Sequence, residues 1–183
     1  KGRSTQDQKV DWEATRQESA NLGTQLHLDI ERYFESGKSI RPENKKEFEH
    51  FLNFYDSHLT ELKLYRTEWR IFDDLIFVAG TADMIFKKED GTYVIYDWKR
   101  SKDIKEYNNF NKGIGVCCET DDCNYNHYRL QLNIYKKILE EHYAKPVSEM
   151  YFVQLHPNFE NFKIFPVPDM QEKVGQMFNE LIN

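Results

Sequence analysis

Residues 80–99 read GTADMIFKKEDGTYVIYDWK, and two strands joined by a tight turn account for them. Residues 75–86 (LIFVAGTADMIF) form an apolar strand eased by Gly80, and residues 92–98 (TYVIYDW) form a strand rich in β-branched and aromatic side chains. Asp90-Gly91 between them is a hairpin signal, because glycine takes the positive φ that such turns require. Side chains two apart on a strand share a face, so Asp97 and Lys99 point the same way. The hairpin lays their strand beside the one carrying Asp83, so that two carboxylates and one ammonium meet near strand ends. Carboxylate oxygens are the ligands that Mg²⁺ and Mn²⁺ prefer. A cation held there lowers the pKa of its bound water, and Lys99 is placed to orient that water or to stabilise developing negative charge. An isolated D-x-K more commonly means a solvated strand face or a plain Asp–Lys ion pair, which is weak. The combination with other residues carries the reading.

Working outward, residues 11–34 repeat Leu22, Leu26, Ile30 and Tyr33 at helical spacing. Residues 42–62 form a second helix with Phe48, Phe51, Leu52, Tyr55 and Leu59 on its apolar face and Pro42 in its first turn. Residues 64–72 precede the hairpin as another strand. Residues 100–126 read as a long polar loop, 127–143 as a helix with Leu130, Ile134, Ile138 and Leu139 facing inward, 148–155 and 161–167 as strands, and 169–182 as a closing amphipathic helix. This order predicts an α/β fold with a mixed central sheet flanked by helices. Three features can join the Asp83–Asp97–Lys99 cluster. Glu68, on the strand before the hairpin, can reach it as a third catalytic carboxylate, or be a surface glutamate. His27 in the first helix can supply a neutral imidazole as metal ligand, with Gly23 one turn earlier allowing close approach to the sheet; a lone helical histidine is otherwise structural or exposed. Gln131 and Tyr135 share a helix face and can meet a substrate, or be an ordinary surface amide beside a core tyrosine.

The length of 183 residues suits one domain, 1–183, with residues 1–10 frayed. The chain begins at Lys1, which reads as a piece of a longer protein with helicase, primase or other replication domains beyond it. With 39% hydrophobic and 15% aromatic residues it is too apolar for a disordered tail. It has no apolar run long enough to span a membrane, and no signal peptide is visible. A net charge of −6 excludes a generic basic nucleic-acid coat protein, though not local basic patches. Arg100, Lys102, Lys105 and Lys112, interleaved with Tyr107 and Phe110, suit a single strand whose bases stack while its phosphates are neutralised; Arg100 and Lys102 stand nearest the cluster as substrate-binding candidates. A solvated loop is the alternative. Cys117, Cys118 and Cys123 are too few and too clustered for a disulfide framework, which points to an intracellular, reducing compartment. With His127 they could bind zinc, but adjacent ligands make a poor structural site, and free thiols are the simpler reading.

In order, His27, Gly80 with Asp83, Asp97 with Lys99, and Gln131 with Tyr135 resemble the RecB-like exonuclease branch of the PD-(D/E)xK nuclease superfamily. That branch shows a helical His, a G-x-x-D strand, a (D/E)-x-K strand and a Q-x-x-x-Y helix. The stretch Asp97-Trp98-Lys99-Arg100-Ser101 is similar to mitochondrial genome maintenance exonucleases, and residues 124–158 to nucleases of large DNA viruses and protists. The resemblance implies a three-layer, restriction-endonuclease-like core and a Mg²⁺- or Mn²⁺-dependent exonuclease acting on DNA that is single-stranded or has free ends. Asp83 and Asp97 would hold metal with His27 as an additional ligand, Lys99 would be catalytic, and Gln131 and Tyr135 would support the site or the substrate. Asp97 stands where the branch often has Glu, and Ala82 where the superfamily often has Pro. Some relatives carry an iron–sulfur cluster on four cysteines, one far upstream; no cysteine precedes Cys117 here, so no cluster is expected. Two other readings are an RNA-directed endonuclease like viral cap-snatching enzymes, from which the Gln131/Tyr135 helix points away, and a catalytically silent nucleic-acid-binding module, against which the full set of acids and Lys99 argues.

Overall fold

The computed structural model describes residues 5–36 and 40–182. Five strands form one sheet in the order β1-β2-β3-β4-β5: β1 (Lys63–Asp73), β2 (Val78–Lys87), β3 (Tyr93–Lys99), β4 (Val147–Gln154) and β5 (Lys163–Pro166). The first three make an antiparallel meander, β4 lies parallel to β3, and β5 is antiparallel to β4. The sheet is therefore mixed, as expected. Helices α1 (Thr5–Glu35), α2 (Lys45–Phe54), α3 (Asn124–Tyr143) and α4 (Gln171–Ile182) flank it. Leu26, Ile30, Phe51 and Phe54 of α1 and α2 pack on Phe86, Tyr96 and Trp98 from one side. Leu132, Tyr135, Ile138, Val174 and Phe178 of α3 and α4 pack on Ile71, Ile85, Ile95 and Phe152 from the other. These are three layers, with β3 buried on both faces from Tyr93 to Trp98. No described helix is long and apolar enough to cross a membrane.

The Asp90-Gly91 turn forms as expected: Gly91 has φ +86, its N–H donates to Lys88 O, and Asp90 Oδ1 accepts the Thr92 N–H at 2.8 Å. The sheet departs from regularity one step further on. Pairing between β2 and β3 runs from Lys87↔Tyr93 to Met84↔Tyr96, where its register ends. Side-chain alternation slips at the same place: Ala82 belongs to the α3–α4 core and Met84, two residues later, to the α1–α2 core. In β1, Glu68 has φ +41 between the paired positions Thr67↔Met84 and Trp69↔Ala82. A left-handed glutamate inside a strand is unusual and strained.

Several expectations are corrected. Helix α1 starts at Thr5, earlier than the expected residue 11, while 1–4 lie outside the described residues. Helix α2 begins at Lys45, beyond Pro42, and continues into a π-helical turn, Tyr55–Leu59. Strand β2 starts at Val78, because Asp73 Oδ1 accepts the N–H groups of Leu75 and Ile76 and folds 73–77 into a turn. Helix α3 starts at Asn124 and buries Leu132, Tyr135, Ile138 and Leu139, with Leu130 and Ile134 only half-buried. A Cβ at Gly23 would meet nothing within 4 Å, so that glycine does not set the approach of α1. Gly80 does set an approach, since a Cβ there would lie 2.4 Å from Tyr135 Cε1. We expect Gly80→Ala to push the Tyr135 ring from the sheet and destabilise the protein by about 1–3 kcal/mol, as overpacking does. Urea unfolding measures this, and an unchanged midpoint would show that the ring moves aside at no cost.

Candidate active site

Beyond Met84↔Tyr96 the edge of Trp98 that faces β2 is capped by side chains instead of ladder partners. Asp83 Oδ2 accepts the Trp98 N–H at 2.8 Å. His27 Nε2 lies 2.9 Å from Trp98 O; a carbonyl only accepts, so Nε2 carries the hydrogen. In neutral His27 the lone pair is then on Nδ1, which lies 3.4 Å from Asp83 Oδ2 and 3.5 Å from Glu68 Oε1. A hydrogen bond from the far ring nitrogen to a carbonyl is how metal-binding histidines are oriented. His27, Glu68 and Asp83 are the one group of three or more His, Cys, Asp or Glu side chains among the described residues whose ligand atoms lie within 4.8 Å of one another. One imidazole nitrogen with carboxylate oxygens is a donor set for Mg²⁺ or Mn²⁺. The residues fit such an ion, and the left-handed backbone of Glu68 lies within the set.

Asp97 and Lys99 lie on the other side of Trp98, toward α3. Lys99 Nζ stands 2.5 Å from Asp97 Oδ2. That oxygen is buried and has no hydrogen bond of good geometry, so its charge is met chiefly by the ammonium. Lys99 is further held at 3.3 Å from Gln131 Oε1 and 4.3 Å from the centre of the Tyr128 ring. Gln131 Nε2 donates to Tyr135 Oη at 2.9 Å, and Tyr135 occupies the space over Gly80. Gln131 and Tyr135 thus lie behind Lys99 and fix its position.

Burial pushes the carboxyls of both Asp83 and Asp97 upward; the Asp97 charge adds to this for Asp83, while Lys99 opposes it for Asp97. Burial disfavours a charged His27, yet Asp83, Glu68 and Asp97 together outweigh it and raise its pKa to about 9. Lys99 also loses solvation, but Asp97 and Asp83 hold its pKa above the ordinary value, so it keeps its proton at neutral pH. In the metal-free protein the imidazolium is thus a second cation, beside Lys99, among these acids.

The remaining candidates fall elsewhere. Arg100 Nε pairs with the buried Glu47 of α2 at 2.8 Å, which ties the start of the loop to the helix. Lys102 is exposed. The loop contains a short 3₁₀ turn (Gly115–Cys117), and Tyr107 and Phe110 are exposed as expected. All three cysteines are free thiols, and His127 pairs with Asp122 at 2.7 Å; they do not gather as ligands. Three participants lacked a sequence signal: the Trp98 peptide groups, Tyr128 and Glu47. Gly80 was legible as a glycine in a strand, but its partner was not.

No protein-family profile matches this sequence, and no curated protein matches it. Among solved structures it is similar to a protein of Eubacterium rectale named "Putative exonuclease", with 12% identity and a TM-score of 0.50 over 88% of this chain. The chain spans 64% of the length of that protein. At this identity the likeness concerns the fold.

A cation that takes the Nδ1 lone pair must displace a proton held until about pH 9. Mn²⁺ affinity should therefore climb with pH up to that point, by about tenfold per unit or more, with at least one proton released per ion near neutrality, because the raised carboxyl of Asp83 adds to the one from His27. Calorimetry in two buffers of different ionisation enthalpy reads both. Without metal the sign reverses. The raised pKa means that the folded state holds the proton more tightly, so this stabilisation is complete below the ordinary histidine value of about 6.5. It is lost as pH rises through about 9. In EDTA the melting temperature should fall over that window, and His27→Gln should flatten the fall; an unchanged profile in the variant would remove His27 from the cluster.

Proposed function

We propose that this chain is a Mg²⁺- or Mn²⁺-dependent nuclease of the PD-(D/E)xK superfamily, of the RecB-like branch, with 1–183 as its nuclease domain. It hydrolyses phosphodiesters of DNA that is single-stranded or has free ends. The observation that carries the reading is the convergence of His27 Nδ1, Glu68 and Asp83 within 4.8 Å beside a buried Asp97–Lys99 pair. The likeness in fold to a protein named as an exonuclease supports it.

His27, Glu68 and Asp83 would hold the cation, with Asp97 completing the set from across Trp98. When bound, such an ion neutralises charge on the scissile phosphate and acidifies a water. Lys99, protonated and aimed by Gln131 and Tyr135, donates to a phosphate oxygen and stabilises the charge that builds there as the P–O bond breaks. Because its position is fixed before the reaction, little reorganisation opposes it.

End-labelled single- and double-stranded DNA, with an RNA of the same sequence, should be digested with Mn²⁺ and with EDTA. DNA cleavage only with the metal is expected. Preference for RNA would move the substrate class, and binding without cleavage would make the chain a silent module. Asp97→Asn should abolish cleavage with an unchanged circular dichroism spectrum. The amide keeps the side-chain volume, whereas alanine would also leave a cavity. Lys99→Ala should lower kcat by on the order of 10²-fold, as loss of one preorganised donor does, while Mn²⁺ affinity holds or improves. Full activity in Asp97→Asn would contradict the site, and collapse of metal affinity in Lys99→Ala would make that lysine structural.

A further inference from the structure

Next to the metal-facing side chains a cleft of about 590 Å³ opens between α1 and the edge strand β1, with His27 and Glu31 on one wall and Glu68, Arg70 and Thr81 on the other. Arg70 is the arginine or lysine that lines it. Its side chain is exposed, and no ion pair among the described residues joins it to Glu31, Glu68 or any other acid. Arginines elsewhere in the fold are engaged: Arg100 with Glu47, Arg66 over the Tyr65 ring, and Arg129 on the carbonyls of Pro168 and Asp169. Thr81 is the cross-strand partner of Arg70, so the two side chains share a face, and both line the cleft. An arginine without a carboxylate partner, in a cleft that two carboxylates also line, is an unused binding group for an anion.

We propose that Arg70, with Thr81 opposite, binds the phosphate of the nucleotide next to the scissile one, so that this cleft seats a nucleic-acid strand and not a small phosphate ester. The inference rests on the nuclease reading and names a substrate contact beyond it. Glu68 and Arg70 are two residues apart, roughly 7 Å along a strand, which is the scale of the step from one phosphate to the next in an extended strand. The guanidinium offers a planar fork to two phosphate oxygens. It also offsets an acidic cleft that would otherwise repel a polyanion, in a chain of net charge −6.

The test compares wild type, Arg70→Ala, Arg70→Lys and Lys63→Ala, the last removing the same charge at the far end of β1. Binding of a labelled single-stranded oligonucleotide is measured in Ca²⁺, and its cleavage in Mn²⁺. Arg70→Ala should weaken binding and raise KM about tenfold, the effect of losing one charged hydrogen-bonding group, with kcat changed much less. Its salt dependence should be shallower by about one phosphate contact. Arg70→Lys should recover part of the loss, and Lys63→Ala should resemble wild type. Equal losses in Arg70→Ala and Lys63→Ala would reduce the effect to net charge and overturn the proposal. So would a matching fall in Mn²⁺ affinity or melting temperature in Arg70→Ala, which marks a structural role. If wild type binds but does not cut, the nuclease reading fails while the binding series still decides Arg70. If it neither binds nor cuts, both fail.

Discussion

The parting of β2 from β3 beyond the Met84–Tyr96 pair is the constraint on which the site depends. It leaves the N–H and C=O of Trp98, a residue buried within three layers, without a strand to bond. A buried backbone group left unpaired costs about 1–3 kcal/mol, and such groups are almost always satisfied. Here the Asp83 carboxylate takes the N–H and the His27 ring takes the C=O. Each of these bonds also fixes where the rest of its side chain points. Asp83 is held in the gap between strands, and His27 has its second nitrogen turned toward Asp83 and Glu68. The bonds that satisfy one residue's backbone also bring together the His27, Glu68 and Asp83 ligand atoms. The left-handed Glu68, which costs about 1–3 kcal/mol, is held in place by paired residues on either side of it in β1.

Much of this was legible in the chain, because it follows from local patterning. Alternation and the Asp90-Gly91 turn specify the β2–β3 hairpin, and period-two geometry places Asp97 and Lys99 on one face, where they pair. What local patterning does not carry is the end of a ladder. The sequence around Asp83 reads as continuous strand, and only the whole sheet determines that pairing stops at Met84. The same limit hid the conformation of Glu68. The partner of Arg100, Glu47, is far away in sequence and is not legible from the loop. The start of β2 is hidden because an aspartate at 73 caps a turn that apolar residues 75–77 disguise. Gly80 and Tyr135 illustrate a contact between two residues, each distinctive in its own element, neither of which names the other.

The electrostatics follow from the same geometry. Burial, with repulsion between the acids adding to it, pushes the carboxyls of Asp83 and Asp97 upward, and two cations offset this: Lys99, held by Gln131 and Tyr128, and His27, whose proton a bound cation would have to displace. One cation is fixed and one exchangeable. That division suits chemistry in which an ion must arrive while a stabilising ammonium stays in place, which is the chemistry of the proposed function.

The most direct measurement is anomalous diffraction from crystals grown with Mn²⁺. The expected result is a peak within coordination distance of His27 Nδ1, Glu68 and Asp83, with the bond from His27 Nε2 to Trp98 O still in place. A peak confined to surface acids such as Asp121 and Asp122, or none at saturating Mn²⁺, would contradict the claim that the parting of β2 and β3 builds a metal site.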